Sequence, residues 1–313
     1  MKVLITGMTG MIGTHIAAAC KQQGHETFGI ARNSAESRLK ALPDPNLFRC
    51  DVTDRDQLAS VISKIRPDLI FHFAAQAFNG ISWECEELTH RTNIWGTLNL
   101  LNCAKEFVPH AKILLPCSST EYGDFNEEDC PLKEEQPLKP ITPYGVSKRT
   151  VEALGYQYFA NYKIKIYLPR LFIHVGTGHP PTTAIQSFAR QLALVSRNLQ
   201  EPVLRVGNLD TARDFIDVRD GVAAMMLLLD KGQPGVPVNI CNNELVSIQW
   251  VLDTLIKISG LSVDVVVDPH LFRPSDEKIL LGDNSRIRQL GWKRQYSIEA
   301  TLRAIYEDWL SRI

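Results

Sequence analysis

Tyr144 and Lys148 stand four positions apart at the start of a predicted helix. Side chains at i and i+4 share a helix face, so the ammonium can lie beside the phenol. A neighbouring cation is expected to lower the phenol from its ordinary pKa of ~10, which would make Tyr144 a usable general acid or base. Ser118 follows the strand candidate Ile113 to Pro116, where a hydroxyl at the carboxyl edge of a sheet can hydrogen-bond a carbonyl or alkoxide oxygen. Tyr-x-x-x-Lys alone is a common surface pair on helices. Its weight here comes from Ser118 and from a glycine-rich turn at the other end of the domain.

That turn contains Gly7, Gly10 and Gly13, which follow an apolar strand and open a helix. Without Cβ atoms the backbone amides can approach a pyrophosphate, whose charge the helix N-terminus favours. Thr9, Met11 and Ile12 belong to the same turn and are expected at the cofactor. An NAD site usually ends its second strand in a carboxylate for the ribose 2′-hydroxyl. Here that place holds Arg32, with Ser34 nearby, a pairing suited to a 2′-phosphate and hence to NADP(H). Asp51 and Val52 are placed beside the adenine, and Ala74 and Ala75 beside the cofactor after the run Leu69 to Ala74.

The elements that must position these groups alternate in kind. Strand candidates are Val3 to Thr6, Thr27 to Ile30, Leu69 to Ala74, Ile113 to Pro116 and Ile164 to Leu168. Helical spacing of apolar residues marks Ile12 to Gln23, Arg55 to Lys64, Thr92 to Phe107 and Ser147 to Asn161. This is the rhythm of an α/β Rossmann-type doubly wound parallel sheet over residues 1–170. After Arg170 a Gly/Pro-rich turn, Gly176 to Pro181, opens a smaller lobe over residues 171–313. It supplies Thr183 to Asn198, Val203 to Val206, Ser247 to Ser259, Val263 to Val267 and Ile298 to Leu310. The strand-like run Pro237 to Cys241 can rejoin the sheet, so the lobe is expected to be discontinuous, with about residues 215–245 returning to the nucleotide domain.

Composition narrows the partners. The 313 residues are 44% hydrophobic and carry a formal net charge of -1, which provides no broad basic field for nucleic acid or an acidic membrane. A small-molecule ligand is expected. No stretch approaches ~20 apolar residues, and the chain opens without a signal-peptide pattern. Seven cysteines lie apart, with no metal-ligand spacing among them, and are read as free thiols of a cytoplasmic protein.

Along its whole length the chain resembles the extended short-chain dehydrogenase/reductase family. The carrying motifs are Gly7-x-x-Gly10-x-x-Gly13, Ala74-Ala75-Gln76, Ser118 to Gly123, Pro143-Tyr144-Gly145-x-Ser147-Lys148 and Arg213-Asp214-Phe215. Within it, Val206-Gly207-Asn208-Leu209, Arg273-Pro274-Ser275 and Gly291-Trp292 resemble GDP-4-keto-6-deoxy-mannose reductases and, next, GDP-mannose 4,6-dehydratases. The resemblance implies a catalytic triad of Ser118, Tyr144 and Lys148, phosphate clamps at Arg213 and Arg273, and Asn208 near the base. It places Ser82, Thr120, Glu121 and His174 on the substrate side as well. It also implies a homodimer built through Thr92 to Phe107 and Ser147 to Asn161, although Val151, Leu154 and Phe159 of the second segment could equally face the chain's own sheet.

The chain departs from that pattern twice. The dehydratases carry an acid two positions before the tyrosine of the Tyr-Gly pair, and this chain has Thr120 there, with Glu121 adjacent. Relatives carry an Asn where this chain has Ile173, so the contact it makes must come from elsewhere, with His174 and His179 as candidates. Reduction of a 4-ketone, 4-epimerisation and 4,6-dehydration share the same hydride chemistry. Thr120 argues against dehydration, and Arg32 argues for NADPH and net reduction. The expected function is therefore NADPH-dependent reduction of the C4 ketone of a nucleotide-linked 4-keto-6-deoxy sugar, GDP-linked, of hexose or heptose length. Epimerase or dehydratase is the alternative, and a non-catalytic NADP(H) sensor is the reading from another class.

Overall fold

The computed structural model describes residues 1–32, 46–272 and 277–313. Its first half runs β1 (Lys2–Thr6), α1 (Met11–Gln22), β2 (Glu26–Ala31), β3 (Leu47–Arg49), α2 (Arg55–Ile65), β4 (Leu69–His72), α3 (Gly96–Phe107), β5 (Lys112–Leu114), β6 (Cys117–Ser118), α4 (Pro143–Tyr162) and β7 (Lys165–Leu171). The second half adds β8 (Ile173–Val175), α5 (Ala184–Ser196), β9 (Val203–Val206), β10 (Ala212–Asp217), α6 (Val218–Lys231), β11 (Pro237–Ile240), β12 (Leu245–Ser247), α7 (Ile248–Ser259), β13 (Asp264–Val267), β14 (Ile279–Leu280) and α8 (Ile298–Arg312).

The main sheet has the order β11-β7-β5-β4-β1-β2-β3, with β6 also paired to β7. Every pairing in it is parallel. Strand order reverses between β1 and β4, which opens a crevice at their carboxyl ends, the usual place for a ligand on such a sheet. One face buries Leu58, Ile62, Leu100, Leu101 and Val151 from α2, α3 and α4. The other buries Ile16 of α1 with Met225 and Leu228 of α6. Residues on both faces are apolar, which is why these strands read as continuous hydrophobic runs.

The lobe has its own core of Phe188, Leu192, Val251, Leu255, Leu302 and Trp309. Its β10 pairs with β12, β14 and β8, while β9 pairs with β13. Meanwhile α6 and β11 belong to the main sheet and its core. No helix among the described residues is long and apolar enough to cross a membrane.

Three local differences from the sequence expectation have physical causes. The strand β3 has only three residues, none of them buried, so it lacks the apolar run that marks its neighbours. The run Ile113 to Pro116 is interrupted after Leu114, and β6 begins at Cys117. Proline has no N–H for a ladder, and the Pro116 carbonyl accepts a bond from Lys148 Nζ at 2.7 Å instead. Thr92 to Phe107 is not one regular helix: a π-turn, Arg91–Trp95, precedes α3. The Thr97 hydroxyl, at the start of α3, donates to the Asn93 carbonyl of that turn at 2.6 Å. Such turns insert a residue and re-aim side chains.

Candidate active site

Helix α4 carries Tyr144 and Lys148, and local chemistry fixes where it starts. Thr142 adopts extended backbone and its hydroxyl accepts from the Gly145 N–H at 3.0 Å, while Pro143 occupies the first helical turn. Gly145 also allows a close approach: a Cβ there would lie 2.6 Å from the Thr120 carbonyl oxygen. The helix therefore seats its first turn directly on the turn that follows Ser118. The Tyr144 N–H also points to Ser82 Oγ at 3.3 Å.

Ser118 ends β6 and begins the short helical turn Ser119–Glu121. Its Oγ accepts from the Thr120 hydroxyl at 2.9 Å and from the Thr120 N–H at 3.2 Å. The Glu121 carboxylate reaches back to the Ser118 N–H at 2.7 Å, completing a capping box. Lys148 is buried, with Nζ 5.8 Å from the centre of the Tyr144 ring. Ser118, Tyr144 and Lys148 thus meet at the carboxyl edge of the sheet.

The electrostatics differ from the expectation that Lys148 would acidify Tyr144. Burial pushes the phenol up, and the hydrogen bond with Ser118 pulls it back in part. Burial also lowers Lys148. Desolvation outweighs the attraction because the ammonium is itself withdrawn from water and donates to the Pro116 carbonyl. Tyr144 is consequently held protonated, as a proton donor must be.

At the nucleotide end, Gly7 has φ +69°, and a Cβ on it would lie 2.6 Å from the Phe73 carbonyl carbon. A Cβ on Gly13 would lie 2.4 Å from the Gly7 oxygen. The turn is thus a backbone-lined cradle pressed against the end of β4. The N-terminus of α1 has neither a side-chain cap nor an acidic residue in its first turn, which leaves it suited to an anion. Thr9 and Ile12 lie in this cradle, and Met11 also borders the lobe cavity. Arg32 is exposed directly after β2, whereas Ser34 and Arg273 lie outside the described residues. The Asp51 carboxylate is oriented by the Thr53 N–H and hydroxyl, both at 2.9 Å. Val52 is buried, and a Cβ on Gly96 would meet it at 2.7 Å, so it packs on α3. The Ala74 N–H donates to Thr6 Oγ1 at 3.1 Å, and Ala75 follows in the same half-buried turn.

A cavity of about 300 Å³ lies in the lobe beyond the sheet edge. His174, Asn208 and Arg213 line it, joined by Arg205, Thr182 and Gln186, which the sequence reading missed. Arg205 had a signal, because it is the exposed residue between buried Leu204 and Val206 on β9. The others sit in a turn and a helix with no pattern to single them out. Arg213 Nη1 donates to the carbonyls of Ala212 and Lys278, and Nη2 lies 3.9 Å from Glu277. Asn208 Oδ1 accepts from the Asp210 N–H at 2.9 Å.

The structure buries two expected substrate residues, Ser82 and Glu121, and keeps His174 on the cavity wall. Ser82 is fully buried and donates to the Asn79 carbonyl at 2.6 Å, so it supports the start of α4 rather than facing a ligand. Glu121 has no exposed surface at all and lies beneath Ser118. His174 borders the cavity, but Nδ1 faces the Phe172 carbonyl and Nε2 is enclosed without a partner, with burial lowering the ring to about 4. Thr120 alone of that group stands beside the Ser118 hydroxyl.

A further polar chain runs behind the site. The Thr97 hydroxyl is committed to the Asn93 carbonyl, so His72 Nε2 donates to it at 3.1 Å and Nδ1 accepts from Thr6 at 2.8 Å. Asn93 bonds the Gln76 backbone and, at 2.9 Å, Ser147. It links the glycine-loop strand, the turn after β4 and the helix of Tyr144.

A parallel doubly wound sheet with a glycine cradle at one carboxyl edge and a Ser-Tyr-Lys cluster at another defines an extended short-chain dehydrogenase/reductase. The chain belongs to the GDP-mannose 4,6 dehydratase family, whose profile matches residues 4–305. It is 31% identical to a GDP-6-deoxy-D-mannose reductase of Pseudomonas aeruginosa over 100% of this chain and 98% of that protein. It is 28% identical to a GDP-mannose 4,6-dehydratase of Yersinia enterocolitica, covering 95% of this chain and 91% of the relative. The solved structure of RMD from Pseudomonas aeruginosa complexed with NADPH superposes with a TM-score of 0.88 at 30% identity, covering 100% and 99% of the two chains. A Thermus thermophilus UDP-glucose 4-epimerase in complex with NAD shares the fold, with a TM-score of 0.90 at 24% identity over 100% of both chains.

Proposed function

We propose that this protein reduces the C4 ketone of a GDP-linked 4-keto-6-deoxy sugar with NADPH, in the cytoplasm, as a homodimer. The observation that carries the choice among related reactions is at the turn after Ser118. Elimination of water needs a carboxylate facing the sugar. Beside the catalytic hydroxyl stands Thr120, and the one adjacent acid, Glu121, is sealed beneath it. The full-length similarity to a GDP-6-deoxy-D-mannose reductase supports the same reading.

The backbone cradle of Gly7, Gly10 and Gly13 fits a pyrophosphate, Arg32 would take the 2′-phosphate, and Asp51 and Val52 would border the adenine. NADPH, when bound there, supplies the hydride. Ser118 holds the C4 oxygen, and Tyr144, kept protonated by burial, gives its proton to that oxygen as it becomes an alkoxide. Lys148, pinned to the Pro116 carbonyl by one of its three donors, keeps the others for the ribose, and its charge stabilises the phenolate left when Tyr144 gives up its proton. In the lobe, Arg205 and Arg213 supply forked donors suited to a diphosphate, and Asn208 supplies an amide for the base.

All seven cysteines are free, which supports a reducing compartment. Val151 is buried, and Leu154 and Phe159 pack against the same core, so they face the chain's own sheet. Trp95, Val146, Tyr156 and Tyr162 are exposed on or beside the same helices, apolar surface that a second copy would cover.

Purified protein given NADPH and GDP-4-keto-6-deoxy-mannose is expected to lose nicotinamide absorbance and yield a product two hydrogens heavier. Tyr144→Phe should lower that rate by about 10²–10⁴-fold with little effect on NADPH binding. Product of unchanged mass formed without NADPH consumption would replace this reading with epimerisation.

A further inference from the structure

Beneath the catalytic serine lies a cluster of ionisable groups that the reaction as drawn does not use. Glu121 is fully buried. Its Oε1 accepts from the Ser118 N–H at 2.7 Å, and its Oε2 is enclosed without a hydrogen-bond partner. Cys117 of β6, Glu121 and Glu152 of α4 bring a sulfur and two carboxylate oxygens within 4.8 Å of one another. Arg170 of β7 spends its guanidinium on Glu152, with Nε and Nη2 at 2.8 and 2.9 Å from its two oxygens. Arg149 pairs with Glu152 as well, at 3.0 Å, and Lys148 gives one donor to the Pro116 carbonyl at 2.7 Å.

The guanidinium partners of this buried cluster are thus both on Glu152, and the free oxygen of Glu121 has no partner. Two like charges this close cannot both persist, and an unpaired buried carboxylate is costly. The carboxylate held by both arms of Arg170 is the one that ionises, leaving the proton on Glu121. We propose that Glu121 is a positioning residue for the ketone reduction: a permanently neutral acid whose carbonyl oxygen fixes the Ser118 backbone from below.

The neutral state has a consequence one layer further out. Tyr144 and Lys148 both lie close enough to feel a charge on Glu121. A negative Glu121 would make the phenol a weaker acid just where a proton must be given. The uncharged acid keeps the acceptor needed to hold Ser118 without placing that charge behind the reacting oxygen. Burial and the neighbouring Glu152 hold the Glu121 carboxyl well above the usual carboxylate range, in agreement with the geometry.

The kinetic part of this proposal rests on the reductase reading, and its protonation part does not. The difference infrared spectrum between wild type and Glu121→Gln, taken at a pH of about 8 with no substrate present, should show a carboxylic-acid carbonyl band belonging to wild type. Turnover with NADPH and the 4-keto nucleotide should fall about tenfold in kcat for Glu121→Leu, with KM unchanged, because only the placement of Ser118 is lost. Glu121→Gln, which keeps an acceptor oxygen and cannot ionise, should restore that loss to within about twofold of wild type. Absence of the acid band overturns the neutral state. A Gln variant as impaired as the Leu variant, or a Leu variant as active as wild type, overturns the positioning role. If no 4-keto nucleotide is turned over by wild type, the function above fails while the infrared result still decides the protonation of Glu121.

Discussion

Tyr144 is the residue on which the chemistry turns, and its surroundings suit one direction of proton transfer. Burial raises the phenol, so it stays protonated through the neutral range and enters the reaction as an acid. Burial lowers the neighbouring Lys148, so that ammonium is the group that loses its proton first on the alkaline side. Reduction needs both protonated, and oxidation of the alcohol needs the phenol to accept. The kcat/KM for ketone reduction is therefore expected to be level through neutral pH and to fall as pH rises, while that for alcohol oxidation climbs. Initial rates in the two directions across a pH series check this, and a reduction rate that increases with pH would reverse the assigned role of Tyr144.

At the scale of elements, Asp214 decides where Arg213 sits. It is fully buried on β10, and its carboxylate accepts from the N–H groups of Asn242, Asn243 and Gly282 at 2.8, 2.9 and 3.2 Å. One side chain thus ties β10 to the loop after β11 and to the segment after β14. Burial nevertheless raises the carboxyl to about 6, so the three donors only partly offset desolvation. Asp214→Ala leaves those donors unpaired and is expected to cost about 2–4 kcal/mol of unfolding free energy. It should also weaken nucleotide-sugar binding, because Arg213 loses its fixed strand. Urea unfolding and GDP titration measure the two effects, and an unchanged midpoint would show that the stitch does not hold the strand.

For the molecule as a whole, the proposed homodimer would cover exposed aromatic side chains on and beside α3 and α4. Trp95 and Tyr156 are each 57% exposed. Trp95→Glu is expected to convert a dimer to a monomer in sedimentation velocity while leaving the far-ultraviolet spectrum unchanged. A wild-type protein that sediments as a monomer would remove the dimer from the proposal.

The repeating strand–helix rhythm, the glycine cradle and the pairing of Tyr144 with Lys148 were readable from sequence, since each depends on contacts a few residues apart and on period. The short strand β3 and the π-turn were not, because neither has a run long enough to show one. Tertiary structure alone decided which way side chains face. Ser82 and Glu121 look like ligand contacts in the chain and are buried supports in the fold, while Arg205 and Gln186 reach the cavity from elements far from the catalytic motifs. It also reversed the expected shift of Tyr144, because proximity to a cation can be inferred from spacing but desolvation depends on what packs over both groups.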